Sequence, residues 1–450
     1  MPPHHSAPSA FRTVGERSQD LDQIDLNAEF RHTLDLIEQD CPCLFLTGKA
    51  GTGKSTLLHY LRETTDRATA VLAPTGVAAL NVGGQTIHSF FRFPPTLIDP
   101  ATLRRRRSAK LFQKLDTLII DEVSMVRADV MAGIDTALRL HRDNVQTPFG
   151  GVQVILCGDL FQLPPIVRER DMQTFFDQQY GGPYFFCAKV FAELQPCSVE
   201  LTTIYRQHDE DFIYVLNKIR ENDVDAELLA VLNARVRRGG EPPQDSSFIT
   251  LTATNQAALR KNQACLERIA EPVHTYPAEV SGQFEESIFP TEELLELKPG
   301  AQVMLIRNDP YKRWVNGSIG RISSLTDTQV RVEIGGTVYE LEPETWHNIR
   351  YRYNQETNRI EEEEVGSFTQ YPLRLAWAIT IHKSQGQTFD KVMIDLGRGA
   401  FAHGQTYVAL SRCTSLAGLV FSRPVTPRDM VFDERVYDWK RVFPPAPKPD

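Results

Sequence analysis

Short apolar runs, each followed by turn residues and then by a helical pattern, recur along the chain. The first series is Cys43–Thr47, Ala70–Ala73, Leu115–Asp121 and Val152–Cys157, and the second is Ser247–Ala253, Lys391–Leu396 and Leu419–Ser422. Fully apolar strands that alternate with helices are typical of parallel sheets covered by helices on both faces. The pattern therefore predicts an α/β protein with two such sheets.

The stretch from Pro299 to Gln370 has a different pattern. It contains short runs that read as strands at Gln302–Arg307, Ile319–Ser323, Val330–Ile334 and Thr337–Leu341. Gly335-Gly336 is a strong two-residue hairpin turn between the last two. We expect a small antiparallel β unit inserted into the second α/β domain.

These patterns, with Pro-rich and polar ends, predict the domain boundaries. We expect a disordered N-terminus at 1–22, a first domain at 23–200, and a second domain made of 201–298 and 371–440. The inserted β domain would occupy 299–370, and a disordered tail would occupy 441–450.

Composition narrows the class of protein. The chain has 450 residues, 41% of them hydrophobic, and a formal net charge of −9. This acidic balance argues against proteins that bind nucleic acid through bulk positive charge, but it allows a local groove that holds phosphates.

Cysteine usage and hydropathy bear on the compartment. The seven cysteines include one close pair, Cys41 and Cys43, and no second Cys/His pair stands at a ligand spacing. Free thiols in a reducing compartment are the default, with metal binding as the alternative. No apolar run approaches the roughly 20 residues of a membrane span, and the N-terminus lacks an apolar signal core. We expect no membrane association and a cytoplasmic location in a bacterium, or a nuclear or mitochondrial one in a eukaryote.

The segment Gly48–Ser55 fits the pattern of a phosphate-binding loop. It follows the predicted strand Cys43–Thr47 and precedes the helical stretch Thr56–Glu63, which is the context that such a loop requires. Its backbone N–H groups and the helix N-terminus would hold phosphate oxygens. Lys54 would reach the β- and γ-phosphates and Ser55 would bind Mg²⁺. The predicted nucleotide-binding residues here are Gly51, Thr52, Gly53, Lys54, Ser55 and Thr56.

A later apolar strand ends in Asp121-Glu122. A nucleotide-bound metal requires a carboxylate, and the attacking water requires a base or orienting group. Asp121 suits the metal and Glu122 suits the water. A solvated turn is the alternative interpretation of the pair.

Further segments occur in a fixed order along most of the chain. They are Ala73–Ala79, Thr86–Phe90, Asp121–Met125, Gly158–Pro165, Tyr205–Gln207, Trp314–Gly320, Thr380–Thr388 and Tyr407–Arg412. Together with the phosphate-binding loop, this series resembles the Pif-type (petite integration frequency) branch of superfamily 1 helicases and its RecD-like relatives, from about Leu26 to Phe421.

The resemblance implies two RecA-like P-loop NTPase domains, with a small wedge insertion at about 92–114 and a Src-homology-type β-barrel inserted in the second domain. It implies an ATP-dependent helicase that uses Mg²⁺ and moves 5′ to 3′ on single-stranded DNA. We expect a monomer by default, with fork or G-quadruplex DNA as the partner. By the same resemblance Gln162 senses the γ-phosphate, Arg206 and Arg412 act as arginine fingers, and Gly386 and Gln387 bind nucleotide.

The resemblance also implies a set of contacts to the DNA strand. The predicted contacts are Thr75, Gly76, Val77, His88, Phe91, Asn316, Gly317, His382 and Ser384. Hydroxyls, backbone amides and imidazoles suit sequence-independent phosphate and sugar contacts. Phe90, Phe93 and Trp377 lie near these motifs and, like Phe91, are either base-stacking or core residues; His88 and His382 have a core alternative too.

A basic stretch, Arg104-Arg105-Arg106-Arg107, falls at the position of the wedge. A local basic patch in an acidic protein favours contact with DNA at the duplex junction, and a solvated basic loop is the alternative.

One departure from the family concerns the base of the nucleotide. The family usually carries a glutamine near the start of the first domain that reads the adenine edge. The stretch Leu26–Arg31 has none, although Gln19 and Gln23 lie upstream.

Two other functions remain open at this point. The chain could translocate on a strand without separating duplexes, or it could use ATP as a switch that clamps DNA. Lys54, Glu122, Arg206 and Arg412 argue against the clamp. A nuclease is disfavoured because no carboxylate and histidine cluster stands apart from the ATP site.

Overall fold

The computed structural model describes residues 26–106, 109–167, 170–207, 209–237, 248–354, 357 and 359–447. The predictions for the N-terminus 1–22, for Gln19 and Gln23, for Arg107 and for the last three residues of the tail lie outside these ranges. The described residues form two parallel sheets with helices and a set of antiparallel strands, so the predicted α/β class is confirmed.

The first domain is built on six parallel strands in the order β3-β2-β4-β5-β1-β6. The strands are β1 (Cys43–Gly48), β2 (Thr69–Ala73), β3 (Gln85–Thr86), β4 (Thr117–Ile120), β5 (Gln153–Cys157) and β6 (Cys197–Leu201). The helices are α1 (Ala28–Glu38), α2 (Lys54–Thr64), α3 (Gly76–Asn81), α4 (Ile87–Phe91), α5 (Lys110–Lys114), α6 (Ala128–His141) and α7 (Arg170–Tyr180). Strands β1, β4 and β5 are buried throughout, as expected for a sheet with both faces covered. Their carboxyl ends meet at one edge, where ligands bind in open α/β sheets.

The second domain has a smaller parallel sheet in the order β18-β7-β19-β20. The strands are β7 (Ile249–Thr252), β18 (Ala378–Thr380), β19 (Val392–Asp395) and β20 (Leu419–Phe421). The helices are α8 (Glu210–Arg220), α9 (Ala226–Asn233), α10 (Asn255–Glu267), α11 (Gln405–Leu410) and α12 (Trp439–Val442). Both domains therefore have the RecA-like arrangement that the resemblance implies.

Antiparallel strands occupy the chain between α10 and β18. They are β8 (His274–Pro277), β9 (Glu279–Gly282), β10 (Leu294–Leu297), β11 (Gln302–Leu305), β12 (Ile319–Leu325), β13 (Val330–Ile334), β14 (Thr337–Leu341), β15 (Glu344–Asn354), β16 (Arg359–Gln370) and β17 (Leu373–Leu375). The predicted hairpin is confirmed, because β13 pairs with β14 and both Gly335 and Gly336 have positive φ.

The antiparallel region is wider than the predicted 299–370. It begins at β8, which pairs with β10, and it ends at β17, which pairs with β11. The strands β8, β9, β10 and β17 were not predicted because each has only three or four residues. That length is too short for a clear alternation of apolar and polar positions.

The long hairpin formed by β15 and β16 reaches the first domain. The Tyr351 hydroxyl accepts a hydrogen bond from the Val71 backbone N–H at 3.1 Å, and its ring packs on Phe90. Arg62 forms an ion pair with Glu362 at 2.8 Å. The inserted unit therefore contacts both domains.

The predicted disorder of the tail is wrong for residues 441–447. Phe443 is fully buried and packs against Phe45, Phe185 and Phe191 of the first domain. Ser198 of β6 exchanges backbone hydrogen bonds with Pro444 and Ala446. The Pro-rich composition indicated a disordered end. The packing of Phe443 and the two backbone hydrogen bonds to Ser198 order this end instead.

Shorter 3-10 helices complete the described residues. They are Pro100–Thr102, Val123–Met125, Pro148–Gly151, Phe185–Cys187, Lys189–Ala192, Glu286–Ile288, Pro427–Asp429 and Glu434–Asp438. Over the part of the chain that the structure describes, no helix has the length and apolar character that crossing a membrane requires.

Candidate nucleotide site and adjoining cavity

A cavity of about 710 Å³ lies between the two domains, within the range of small-molecule sites. The first domain contributes Phe30, Ala50, Gly51, Thr52, Gly53, Lys54, Ser55, Thr56, Glu122 and Gln162, and the rest of the chain contributes Tyr205, Arg206, Gly386, Thr388 and Arg412. We call it the first cavity. The structure thus brings together all six predicted residues of the loop, both predicted arginine fingers, Glu122 and Gln162.

The loop between β1 and α2 has the backbone geometry that its glycines allow. Gly51 and Gly53 both have φ of +83°, in the left-handed region that other residues rarely adopt. A Cβ atom at Gly51 would lie 2.4 Å from the Cβ of Arg206. Lys54 Nζ donates to the carbonyls of Gly48 and Lys49 at 2.8 and 2.9 Å. Burial lowers the pKa of Lys54, and Asp159 opposes that shift.

Two carboxyl groups follow β4 beside this loop. The Asp121 carboxylate accepts from the Glu122 backbone N–H at 2.9 Å, and Glu122 has a φ of +50°. Burial raises the pKa of Asp121, and burial with the Asp121 charge raises the pKa of Glu122 to about 7. Left-handed backbone at a non-glycine residue is strained and concentrates at functional sites. Glu122 therefore has the strained backbone and raised pKa of a catalytic carboxylate.

Ser55 and Asp121 are the residues that would hold Mg²⁺. A hydroxyl and a carboxylate fit this ion, which proteins bind through one or two side chains and the nucleotide's phosphates rather than through a full cage. Among the described residues, no group of three or more His, Cys, Asp or Glu is placed to hold a metal ion.

Gln162 is held by an ion pair between the domains. Its Nε2 donates to Asp159 at 3.2 Å, and Asp159 accepts from Arg220 Nη2 at 3.2 Å. Arg220 lies on α8, 4.1 Å above the ring of Phe161. Asp159 and Arg220 were not predicted to act here. Gly158-Asp159 stood in a recognised segment, whereas nothing local marked Arg220.

The two predicted arginine fingers, Arg206 and Arg412, line the first cavity from the side of the second domain. Arg412 is 1% exposed, and its Nε donates to Val408 O at 3.0 Å. Its Nη1 donates to the carbonyls of Ser384 and Gln387 at 3.5 and 3.4 Å. Burial and the charge of Arg206 lower the pKa of Arg412 to about 9. Two cations that disfavour each other in a buried site suit a polyanion such as a triphosphate.

Two aromatic side chains, Phe30 and Tyr205, line the first cavity beside the loop residue Gly53. A Cβ at Gly53 would lie 2.9 Å from the Phe30 ring and 3.7 Å from the Tyr205 ring. Tyr205 accepts a hydrogen bond from Asn27 Nδ2 at 3.0 Å, and Tyr407 accepts one from the Ala50 N–H at 3.2 Å. The sequence did not mark Phe30 or Asn27; Tyr205 and Tyr407 stood in recognised segments without a role.

A second cavity, of about 40 Å³, lies where α3, the inserted strands and the second domain meet. Its lining residues are Val77, Leu80, Asn81, Pro290, Ile306, Asn316, Trp346, Arg374, Lys383, Gln385 and Gln387. Gln387 was predicted to bind nucleotide, but it lines this cavity, whereas Gly386 and Thr388 line the first. Alternate residues of one loop therefore face the two cavities.

The predicted DNA contacts fall into two groups, and the members of the first either line the second cavity or adjoin its lining residues in sequence. Val77 is 40% exposed and lines it with Asn316. Thr75 is exposed and caps α3, while Gly76 packs on Ile288. Gly317 has a φ of +97°. The His382 ring stacks on Phe401, which is 62% exposed.

The second group lies in the core. Ser384 is fully buried and its hydroxyl donates to Ile381 O at 2.8 Å, so its side chain does not face DNA. Phe91 is 2% exposed and stacks on Phe93 and Phe112 at 5.2 and 5.7 Å. For Phe91 the core alternative is therefore correct. Phe90 and Phe93 are buried as well, and His88 packs edge-on against Phe93.

The basic stretch lies on the surface of the segment between β3 and β4. Arg105 pairs with Asp143 at 2.5 Å, and Arg104 donates to the carbonyl of Ala101 at 2.7 Å. Arg106 is half-buried, and burial lowers its pKa. Arg107 lies outside the described residues.

Known proteins resemble this chain over most of its length. Residues 25–228 match the family model described as PIF1-like helicase. The human ATP-dependent DNA helicase PIF1 is 36% identical over 84% of this chain, and the chain spans 57% of that relative's length. The ATP-dependent DNA helicase Pif1 of Bdellovibrio bacteriovorus is 32% identical, with 94% of this chain and 93% of that protein covered.

A solved structure agrees with the fold. The crystal structure of Bacteroides sp Pif1 in complex with ADP-AlF4 has 39% identity and a TM-score of 0.86, over 93% of this chain and 97% of that one. The chain belongs to the PIF1-like helicase family.

Proposed function

We propose that this chain is an ATP-dependent DNA helicase that binds ATP with Mg²⁺ in the first cavity, translocates 5′ to 3′ on single-stranded DNA and separates duplexes, acting as a monomer. The observation that carries the proposal is the first cavity itself, which joins the Gly51–Thr56 loop and Glu122 of one domain to Arg206 and Arg412 of the other. A nucleotide bound between two domains pulls them together, and hydrolysis releases them.

The chemistry follows from where each group stands. Lys54 and the loop amides would neutralise the phosphates, and Glu122 would orient or deprotonate the attacking water. Arg206 and Arg412 would stabilise the charge that develops on the transferring phosphoryl group, which is worth about 10³–10⁵ in rate in other NTPases. Mg²⁺ would be held by Ser55 and Asp121 together with the nucleotide.

The loop from Ser384 to Thr388 supports coupling to DNA. Arg412 binds the carbonyls of Ser384 and Gln387, and Gly386 and Thr388 line the first cavity while Gln385 and Gln387 line the second. A change at the γ-phosphate that moves Arg412 would therefore move groups at the second cavity. Relatives of this chain named as DNA helicases favour DNA as the strand bound there.

The test is ATP-dependent strand separation on two matched duplexes, one with a 5′ single-stranded tail and one with a 3′ tail. Single-strand-stimulated ATP hydrolysis is measured beside it. We expect unwinding of the 5′-tailed duplex alone. If single strands stimulate hydrolysis but neither duplex is unwound, the chain is a translocase and not a helicase. Unwinding of the 3′-tailed duplex would contradict the proposed direction.

A further inference from the structure

Two cysteines from distant parts of the chain meet in the first domain. Cys41 lies in the turn between α1 and β1, and Cys197 is the first residue of β6. Their Sγ atoms are 3.0 Å apart, although the two residues stand 156 positions apart in the sequence. Both lie at the amino ends of neighbouring parallel strands, whereas the first cavity lies at the carboxyl ends. The fold therefore creates a thiol pair on the far edge of the sheet from the nucleotide site.

The sequence singled out a different pair, Cys41 and Cys43. In the structure Cys43 is fully buried and packs with Phe45 on one face of the sheet. Cys41 and Cys197 pack against the cluster on the opposite face, which contains Leu44. Successive residues of a strand point to opposite faces, so the Cys43 side chain takes no part in the pair. Among the residues that the structure describes, no third ligand joins the two sulfurs into a metal site.

The two thiols differ in acidity. The hydrogen bond from Cys197 lowers the pKa of Cys41 to about 7, against the effect of burial. The same hydrogen bond, together with burial, raises the pKa of Cys197. Cys41 therefore supplies the thiolate, which is the form of cysteine that attacks oxidants, while Cys197 keeps its proton. Both side chains are only partly buried, so a small oxidant can reach the sulfurs.

We propose that Cys41 is a site of oxidation by hydrogen peroxide and that Cys197 converts the oxidised Cys41 into a disulfide. The Cys41 thiolate attacks one peroxide oxygen and the O–O bond breaks, which gives a sulfenic acid on Cys41 and a hydroxide ion. The Cys197 sulfur then attacks the sulfenic sulfur. An S–S bond forms, the S–O bond breaks, and the hydroxyl leaves with the Cys197 proton as water. The two sulfurs lose two electrons in total, and the peroxide gains them.

The disulfide would fasten α1 to the sheet at a second point. At the end of α1 beside the first cavity, the Glu29 carboxylate accepts a hydrogen bond from the Thr202 backbone N–H at 3.0 Å, just after β6. Phe30, the next residue, lines the cavity. At the other end of α1, the new bond would join Cys41 to Cys197. With both ends attached to β6, local opening of α1 should become rarer.

The tail of the chain is attached beside the same pair. Ser198, which follows Cys197, forms backbone hydrogen bonds with Pro444 and Ala446, and Ala446 packs against the same cluster as the two cysteines. The sulfurs are already in contact, so the disulfide requires only a small movement of the surrounding chain. We therefore expect oxidation to stabilise the first domain without rearranging the first cavity.

Peptide mapping after treatment with hydrogen peroxide tests the pairing directly. Unreduced tryptic digests of wild type should contain one crosslinked species that joins Cys41 to Cys197 and disappears on reduction with dithiothreitol. Cys41 and Cys43 fall in one tryptic peptide, so fragmentation between them assigns the sulfur. In Cys197→Ser the sulfenic acid has no resolving thiol, and a dimedone probe should label Cys41. Cys41→Ser should give neither product.

Cys187→Ser is the matched control. Cys187 is also a partly buried cysteine of the first domain, but burial raises its pKa to about 11. A thiol with a raised pKa is mostly protonated near neutral pH and reacts slowly with peroxide. The variant should therefore form the Cys41–Cys197 disulfide as fast as wild type, and Cys187 in wild type should stay unmodified while the pair oxidises.

Thermal melts measure the consequence of the bond. A disulfide that closes so long a loop should raise the Tm of wild type by about 5 °C, and dithiothreitol should reverse the rise. Cys41→Ser and Cys197→Ser should show no rise after the same treatment. Amide hydrogen exchange in α1 should slow on oxidation of wild type. Single-strand-stimulated ATP hydrolysis should stay within about twofold, because the pair lies on the far edge of the sheet from the nucleotide.

Three results would overturn the proposal. The first is wild type without a Cys41–Cys197 crosslink at a peroxide concentration that modifies Cys187. The second is a disulfide that joins two chains, which a non-reducing gel would show as a doubled mass. The third is a crosslink that forms but leaves both the Tm and the exchange in α1 unchanged. The proposed function is tested separately with the reduced protein, so its failure and the failure of this site are distinguishable.

Discussion

The two cavities of this protein differ in how the chain assembles them. Seven consecutive residues, Ala50 to Thr56, line the first cavity, and its carboxylate residue Glu122 follows directly after one strand and Asp121. The second cavity is lined from α3, the inserted strands and the loop after β18, so residues as distant as Val77, Trp346 and Lys383 meet there. A site built on one continuous loop can be recognised from the sequence. A cavity lined by three separate parts of the chain can be recognised only once the fold is known.

The largest effect should follow from Lys54→Ala in the first cavity. Loss of the buried ammonium removes the charge that neutralises the phosphates, so single-strand-stimulated ATP hydrolysis should fall by about 10³ or more. Steady-state hydrolysis at saturating oligothymidylate measures it. Lys49→Ala is the control, since Lys49 lies in the same loop but does not line the cavity, and it should retain most turnover. Substantial turnover by Lys54→Ala would contradict the assignment of the loop.

Glu122→Gln should separate binding from hydrolysis. The amide keeps the shape of the side chain but cannot accept a proton, so kcat should fall by about 10²–10⁴. Nucleotide affinity, measured with a fluorescent ATP analogue, should change little. Normal turnover in a correctly folded sample would remove Glu122 from the reaction.

The difference between the two cavities explains which features could be predicted from the sequence. Seven of the ten described parallel strands and the phosphate-binding loop were predicted within one or two residues, because burial on both faces leaves a continuous apolar run. The strands β3, β6 and β18 were not predicted. The nucleotide contact of Gln387 stays a prediction, because Gln387 lines the second cavity while its neighbours Gly386 and Thr388 line the first. Ser384 and Phe91 are core residues, and a motif match does not show which face of an element is exposed.

Other features needed tertiary contacts. Arg220 reaches Asp159 from a helix in the second domain, and nothing around it in sequence marks that role. The tail is ordered because Phe443 packs against Phe45, Phe185 and Phe191 of the first domain and because two backbone hydrogen bonds join the tail to Ser198. Arg374 lines the second cavity from β17, a strand of three residues that pairs with β11. No sequence pattern indicated β17.

A smaller effect is expected at the basic stretch, away from both cavities. Replacing Arg104, Arg105 and Arg106 with Ala should reduce unwinding about fivefold and leave single-strand-stimulated hydrolysis within about twofold. The reason is that the exposed Arg104 and Arg105 and the half-buried Arg106 would contact the duplex rather than the tracking strand. Both rates are measured on one 5′-tailed substrate. An equal loss of both would show that the stretch only holds DNA.

The smallest effect on DNA is expected from Phe91→Leu. Because Phe91 packs in the core, a residue of similar size should cost some stability and leave oligothymidylate affinity unchanged. A base-stacking residue would instead contribute about 1–3 kcal/mol, so its loss would weaken binding by about five- to 150-fold. Binding titrations together with a thermal melt distinguish the two roles.

The central claim is that the loop Ser384–Thr388 couples the first cavity to the second. The most direct measurement is the Kd for oligothymidylate with and without a non-hydrolysable ATP analogue, together with the Kd for that analogue with and without oligothymidylate. We expect each ligand to change the affinity of the other by the same factor, within about 5–150-fold, because coupling between sites is reciprocal. If neither Kd changes when the other ligand is present, the loop does not couple the two cavities.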